Sequence, residues 1–387
     1  MTEKCSLNLG KNKKGRFLVQ KTTFENVSVQ KYKKALVSAY GIQKGNPLRR
    51  TNSLAWQLCG IIKTGKSYLH SIGSEFPKDI DLESRVKNVK RWLINQYTDF
   101  DITFFPCIAP ILASYIGRDK EMVFAIDGSE TGMGCTTLMI SLTVGKRAIP
   151  ICWLVRKCKK GHLPAKMHLE LFTKLHDLVE GYEKVVILGD GEFDNHEVIE
   201  ACSRWKWHFV FRTAKNTWIF DGRDEYKIGE LSPAPFESFM TVEDVAYTKK
   251  RYGPVNACVW HEKKWDDPIY LLSNFELSFD TAKYYNKRWS IETFFGDIKS
   301  RGFFINKSKL TDPQRVAKLL IIACLAYILL FKLGENEQNS PYVSKVTKKD
   351  RMDLSIFSLG KKLVKYCVKR AIPIIFSFSK NCFICTV

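Results

Sequence analysis

Between residues 121 and 212 the spacing of apolar positions changes several times, and each change marks an element. Met122 to Ile126 is an apolar, β-branched run that stops at Asp127-Gly128-Ser129, as expected of a strand buried on both faces. Thr136 to Val144 and Ala148 to Val155 are two more such runs, joined by Gly145-Lys146-Arg147, which has the composition of a hairpin turn. From Pro164 to Gly181 the period lengthens: Met167, Leu171, Leu175 and Leu178 recur at helical spacing, and Gly181 closes the segment. Lys184 to Leu188 returns to strand pattern and ends at Gly189-Asp190-Gly191; a helix over Asn195 to Trp205 then leads into a strand over His208 to Arg212. The predicted order is β-β-β-α-β-α-β, with an aspartate ending the first strand and another ending the fourth.

The flanks read differently. Lys31 to Lys44, Leu54 to Ser71 and Leu82 to Tyr97 carry helical patterns, the last bearing Arg85, Lys87, Lys90 and Arg91. Residues 221–268 hold strand-like runs at Phe239 to Val245 and Val255 to Trp260, broken by Pro233, Pro235, Gly253 and Pro254. The longest apolar stretch, Leu319 to Phe331, is shorter than a bilayer needs and reads as a buried helix. Lys361 to Arg370 is basic on one side, with Leu363, Val364 and Val368 on the other; DNA or a second subunit could dock there, and pairing of subunits is the preferred reading.

Charge adds a partner class. The 387 residues carry 61 Lys+Arg against 40 Asp+Glu, a net charge of +21. Residues 1–120 hold 21 basic and 9 acidic side chains, residues 121–340 hold 30 and 29, and residues 341–387 hold 10 and 2. A neutral middle between two basic flanks is the footprint of a polyanion binder. With 45% hydrophobic and 26% charged residues the chain is neither disordered nor fibrous. Met1 to Asn12 has no apolar core of a secretory signal. The 12 cysteines are scattered apart from Cys382 and Cys385, so no four-ligand zinc site is expected and free thiols in a reducing cytoplasm fit better. His162, His168, His176 and His196 have no ligand spacing and read as surface or helix histidines.

A carboxylate at a strand end is ordinarily a helix cap or turn former. Asp127 and Asp190 together suggest more: if the first and fourth strands are neighbours, two like charges meet, which a hard divalent cation, Mg²⁺ or Mn²⁺, would relieve. A third acid lies in Asp280 to Gly302, where Tyr285, Arg288, Glu292 and Lys299 are spaced by three, four and seven. On one continuous helix they fall at roughly 0°, 300°, 340° and 320°, so one face carries a phenol, a guanidinium, a carboxylate and an ammonium. Ordinary ion pairing of Arg288 with Glu292 explains part of that pattern.

The set Asp127, Asp190 and Glu292, with Tyr-x2-Arg-x3-Glu-x6-Lys around the last acid, resembles the cut-and-paste DDE transposases of bacterial insertion sequences, specifically the insertion-sequence-four family. Ile126-Asp127-Gly128-Ser129 and Leu188-Gly189-Asp190-Gly191-Glu192-Phe193-Asp194 are similar to that family's first two acidic motifs. Glu192 departs from the arginine often found there. The resemblance implies an α/β, RNase H-like mixed sheet flanked by helices, with a β-rich insertion, an N-terminal helical domain and a C-terminal helical tail. Residues 1–120 would be the DNA-binding region, 121–220 and 269–335 the two parts of the catalytic core, 221–268 the insertion and 336–387 the basic C-terminal region.

It further implies metal-dependent cleavage and strand transfer at terminal inverted repeats. Asp127, Asp190 and Glu292 would hold Mg²⁺, for which Mn²⁺ can substitute. Tyr285, Arg288 and Lys299 would hold end phosphates, and Trp260, with Trp265, would stack on an unpaired base. Arg85, Lys87, Lys90 and Arg91 are the N-terminal DNA contacts expected from charge. The implied partners are double-stranded transposon-end and target DNA and a second copy in a synaptic homodimer, without a membrane, at the bacterial nucleoid in the cytoplasm. A nuclease lacking strand transfer and an inactive DNA-binding derivative remain the alternatives.

Overall fold

Strands whose both faces are apolar need cover on both sides, and the computed structural model provides it with helices packed on a single large sheet. It describes residues 10–11, 17–18, 24–41, 43–76, 79–116, 121–159, 161, 163–182, 184–275, 278–348, 354–379 and 382–384. After a small hairpin, β1 (Gly10–Lys11) and β2 (Phe17–Leu18), come α1 (Phe24–Tyr40), α2 (Gly45–Thr64), α3 (Leu69–Ser74), α4 (Leu82–Ile94) and α5 (Phe105–Ile116). The central part runs β3 (Glu121–Gly132), β4 (Cys135–Val144), β5 (Arg147–Arg156), α6 (Ala165–Leu178), β6 (Lys184–Gly189), α7 (His196–Arg204) and β7 (His208–Arg212). This is the order expected from periodicity.

Then follow β8 (Trp218–Phe220), β9 (Glu225–Lys227), β10 (Phe239–Tyr247), β11 (Tyr252–Trp260) and β12 (Ile269–Ser273). The chain closes with α8 (Phe279–Asn286), α9 (Trp289–Ile298), α10 (Pro313–Glu337), α11 (Val343–Val346), α12 (Ile356–Lys369), β13 (Ile374–Ile375) and β14 (Phe383–Ile384).

The sheet has ten strands in the order β5-β4-β3-β6-β7-β12-β11-β10-β8-β9. β3 runs antiparallel to β4 and parallel to β6, and β6 runs parallel to β7. The strands of residues 221–268 do not form a separate module: β12 pairs antiparallel with β7, Leu272 opposite Phe211, so they prolong the same sheet.

Local signals set the ends. Asn195 caps α7 and Asp81 caps α4, each side chain accepting a main-chain N–H three residues on. Asp312 caps α10 with Pro313 at its first position. One expectation needs correction: the helix read at Leu54 to Ser71 starts earlier and breaks at Gly65. That glycine takes a left-handed conformation, φ 67°, and its N–H donates to Ile61 O, a helix stop that a side chain would disfavour.

The apolar run at Leu319 belongs to a longer helix than expected. α10 is long and apolar enough to cross a membrane by length and composition, but 89% of its most apolar window is buried inside the fold. It packs on α2, α4, α12 and β5 and so links the N-terminal helices, the sheet and the C-terminal helix. Gly334 and Gly360 permit its close crossing with α12, since a Cβ on Gly360 would run into Leu330 O. On α12, Leu363 and Val364 face inward, and Lys361 reaches Arg301 O at 3.2 Å.

Candidate active site

The parallel pairing of β3 and β6 ends with Ala125 opposite Leu188. Carried on by two residues, that register sets Asp127 beside Asp190, on strands about 4.8 Å apart. Side chains alternate along a strand, so Asp127 and Asp190 share the face of Val123, Val186 and Leu188, which packs on Ala282 and Tyr285 of α8. Asp127 is buried, 3% exposed, and its Oδ1 accepts the Gly128 N–H at 2.7 Å. Asp190 is half-buried, and its Oδ1 accepts the Glu192 N–H at 3.0 Å. The first strand does not stop at Ile126 as its apolar run suggested; β3 continues to Gly132, with Asp127 opposite Met139 of β4. Ladder pairing, rather than apolar content, sets its length.

The third acid is linked to Asp127 through Arg288, which interacts with both. The segment read as one helix is two: α8 ends at Asn286, Lys287 and Arg288 form a turn, and α9 carries Glu292. At the junction the N–H of Arg288 bonds Tyr285 O and that of Ile291 bonds Arg288 O, the tighter i→i+3 pattern. Lys299 lies just past the end of α9, where its Nζ donates to Ser129 Oγ, two residues beyond Asp127 on β3. Arg288 Nη2 donates to Glu292 Oε1 at 2.6 Å.

Burial opposes the Arg288 charge, yet Tyr285, Glu292 and Asp127 together raise its pKa above the ordinary arginine value. The Tyr285 hydroxyl is also raised, first by burial and then by Asp190, against the pull of Arg288 and Arg212. Tyr285 and Arg288 are 1% and 4% exposed. Both therefore lie against the aspartates, Arg288 interacting with Asp127 and Tyr285 with Asp190, with little of either side chain open to solvent. The inward turn follows from α8 burying its Ala282 and Tyr285 side against the sheet.

Three further residues crowd the turn after Asp190. Glu192 Oε1 accepts the Leu163 N–H at 3.3 Å, and His168 Nε2 stands 3.9 Å from the same oxygen. His168 is 2% exposed, and burial lowers its pKa to about 4 in spite of Asp190. Asp194 Oδ2 accepts the Thr213 hydroxyl at 2.6 Å, and burial raises its pKa. His168 is a helix histidine, as its position suggested, and with Leu171, Phe172 and Leu175 it lies on the buried stripe of α6; that spacing is the signal for its burial. His176 and His196 are structural, stacked on Trp205 at 4.8 Å and on Tyr252 at 3.9 Å. His162, Cys385 and Arg351 to Asp353 lie outside the described residues.

The other expected DNA contacts divide. Trp260 is 2% exposed, packed edge-on against Trp265 at 4.8 Å, with its indole N–H donated to Glu262; a ring enclosed in the sheet's second apolar cluster has no face for a base. The exposed aromatic near the acids is Trp289, 49% exposed, with the Arg288 guanidinium 4.6 Å from its ring centre. Arg85 is likewise structural, donating to Ser74 O and Phe76 O and so tying α4 to α3. Lys87 pairs with Glu83 on an exposed helix face, where Lys90 and Arg91 are also exposed.

Carboxylate oxygens are the donors that Mg²⁺ or Mn²⁺ prefers, and a buried aspartate beside a second one fits such an ion by chemistry. Among the described residues, however, no three His, Cys, Asp or Glu side chains are drawn up closely enough to hold a metal. Three carboxylates repel one another, and Glu292 is turned into Arg288 instead.

Asp127, where β3 outruns its parallel neighbour β6, and Asp190, just past the end of β6, lie together in a mixed α/β sheet flanked by helices. Residues 164–329 match the family model for the transposase DDE domain, which supports a DDE transposase. The matched span holds Asp190 and the Tyr285 to Lys299 signature and begins beyond Asp127. No curated protein matches the chain. Among solved structures the chain is similar to a piggyBac transposase synaptic complex with hairpin DNA, at 14% identity over 90% of this chain and 79% of that one, with a TM-score of 0.44. It is also similar to the Argonaute of Marinitoga piezophila in complex with 5′ OH guide RNA and target DNA, at 13% identity over 64% of this chain and 37% of that one, with a TM-score of 0.23. Both overlaps are too loose to bear on function.

Proposed function

We propose that this chain is a DDE transposase of the insertion-sequence-four type, with an RNase H-like core that cuts DNA at terminal inverted repeats and joins it to a target. The observation that carries the reading is the β3–β6 register, which supports Asp127 and Asp190 as a carboxylate pair facing α8, with Arg288 interacting with both Asp127 and Glu292. Asp127, Asp190 and Glu292 would hold the divalent ions, Mg²⁺ or Mn²⁺, whose chemistry there is to activate the attacking oxygen and stabilise the leaving one. Arg288 restrains Glu292 until substrate phosphates compete for its guanidinium, a fork suited to bidentate phosphate contact. Lys299, seated on Ser129, supplies a point charge beside β3. Trp289 takes the stacking role first given to Trp260.

The basic flanks and the exposed Lys87, Lys90 and Arg91 supply phosphate contacts that position double-stranded end DNA, and two copies pair two ends in synapsis. Asp127→Asn, Asp190→Asn and Glu292→Gln are each expected to abolish cleavage of labelled end DNA in Mg²⁺ while binding persists. A variant that cuts at the wild-type rate removes its residue from the site. Appearance of joined product on a target plasmid separates this reading from a nuclease without strand transfer.

A further inference from the structure

The turn that carries Asp190 is held from α6 by side chains that the proposed chemistry does not use. Asn195 caps α7 through Oδ1, which accepts the Val198 N–H at 3.0 Å, and this leaves its amide NH₂ 3.3 Å from His168 Nδ1. An amide that donates to Nδ1 makes that nitrogen the acceptor, so the imidazole proton sits on Nε2. Nε2 is buried, lacks a hydrogen-bond partner among the described residues, and points at Glu192 Oε1 from 3.9 Å. The same oxygen accepts the first main-chain N–H ahead of α6, that of Leu163. A Cβ on Gly128 would lie 3.3 Å from Leu163 Cδ1 and 3.9 Å from Glu192 Oε2, so the anchored carboxylate also packs beside the residue that follows Asp127. The main-chain N–H of Glu192, meanwhile, is the donor to Asp190 Oδ1.

We propose that His168 and Glu192 act as a positioning pair for Asp190. The Nε2–H side of the imidazole, 3.9 Å away and short of a hydrogen bond, backs the Glu192 carboxylate electrostatically against the start of α6, and the turn anchored in this way fixes the Asp190 carboxylate in the orientation that faces Asp127. The inference rests on the reading of Asp127 and Asp190 as metal-holding acids. Partners that orient a ligating carboxylate typically change metal affinity by roughly ten- to a hundredfold when removed.

The test titrates Mn²⁺ alone into the full chain by calorimetry, for wild type, Glu192→Ala, Glu192→Gln, His168→Phe, the Glu192→Ala/His168→Phe double variant and Asp190→Asn. Glu192→Ala is expected to weaken Mn²⁺ binding about tenfold or more, and Glu192→Gln, which keeps an acceptor oxygen, to restore most of it. The double variant should bind no more weakly than the weaker single variant, since the two side chains act as one unit. Glu192 sits in a surface turn, so Glu192→Ala decides the matter even if His168→Phe does not fold. Wild-type Mn²⁺ affinity in Glu192→Ala, or losses that multiply in the double variant, would overturn the pairing. Wild-type affinity in Asp190→Asn would instead overturn the metal reading beneath it.

Discussion

Asp127→Asn is expected to do opposite things to stability and to ion binding. At a separation equal to the strand spacing of about 5 Å, two carboxylates repel by about 3 kcal/mol at an effective dielectric of about 20. The Arg288 guanidinium acts on Asp127 as well and offsets part of this, which leaves about 1 to 2 kcal/mol of strain that the amide removes. The amide oxygen keeps the bond from the Gly128 N–H that Asp127 Oδ1 now accepts, so little is lost in exchange. For 387 residues a kilocalorie per mole shifts the melting midpoint by about 1 °C. Differential scanning calorimetry in EDTA should therefore show the variant melting about 1 to 2 °C higher than wild type. Added Mg²⁺ should raise the wild-type midpoint and leave that of the variant unchanged, because an ion that binds only the native site stabilises by mass action. A lower midpoint in EDTA would mean that the Asp127 carboxylate is a structural anchor, and an equal Mg²⁺ response in both proteins would remove it from the ion site.

Two further outcomes separate structural from functional side chains. Trp260→Ala should cost about 3 to 5 kcal/mol in denaturant unfolding, the usual cost of emptying an enclosed aromatic site, whereas Trp289→Ala should leave stability within about 0.5 kcal/mol and weaken end-DNA binding by about 1 to 3 kcal/mol. The reverse assignment of the two losses would refute the exchange of roles. His168 gives a pH dependence: its folded pKa of about 4 lies below the ordinary 6.5, so the unfolded chain binds the proton more readily. Its contribution is intact above pH 6.5 and lost as pH falls toward 4. His168→Gln should flatten that part of the stability profile, and an unchanged slope between those limits would show that His168 is not the group responsible.

Much of the central sheet was legible in one dimension because strands enclosed on both faces and helices with one buried stripe leave different apolar periods, and β4, β5, β6, α6, α7 and β7 fall close to where those periods place them. Ends were less legible. β3 runs past Asp127 because β4 continues to pair with it, and the acidic segment breaks at Lys287 and Arg288 because burying Tyr285 and Glu292's arginine on the same sheet face bends the helix path. The burial of side chains was not legible either. Trp260, Tyr285, Arg288 and Arg85 are polar-tipped residues whose exposure depends on which neighbours the fold brings, and composition alone does not record that.

The chain alone singled out Asp127, Asp190 and Glu292 as candidate acids and determined that basic charge sits on either side of a neutral middle, since residue type and spacing are local properties. Only the folded sheet decided that Asp127 and Asp190 stand side by side, that Glu192 and His168 join their surroundings, and that residues 221–268 prolong the core instead of standing apart. Strand partners and buried neighbours are set by contacts between segments far apart in the chain, and no local pattern encodes which segment will lie against which.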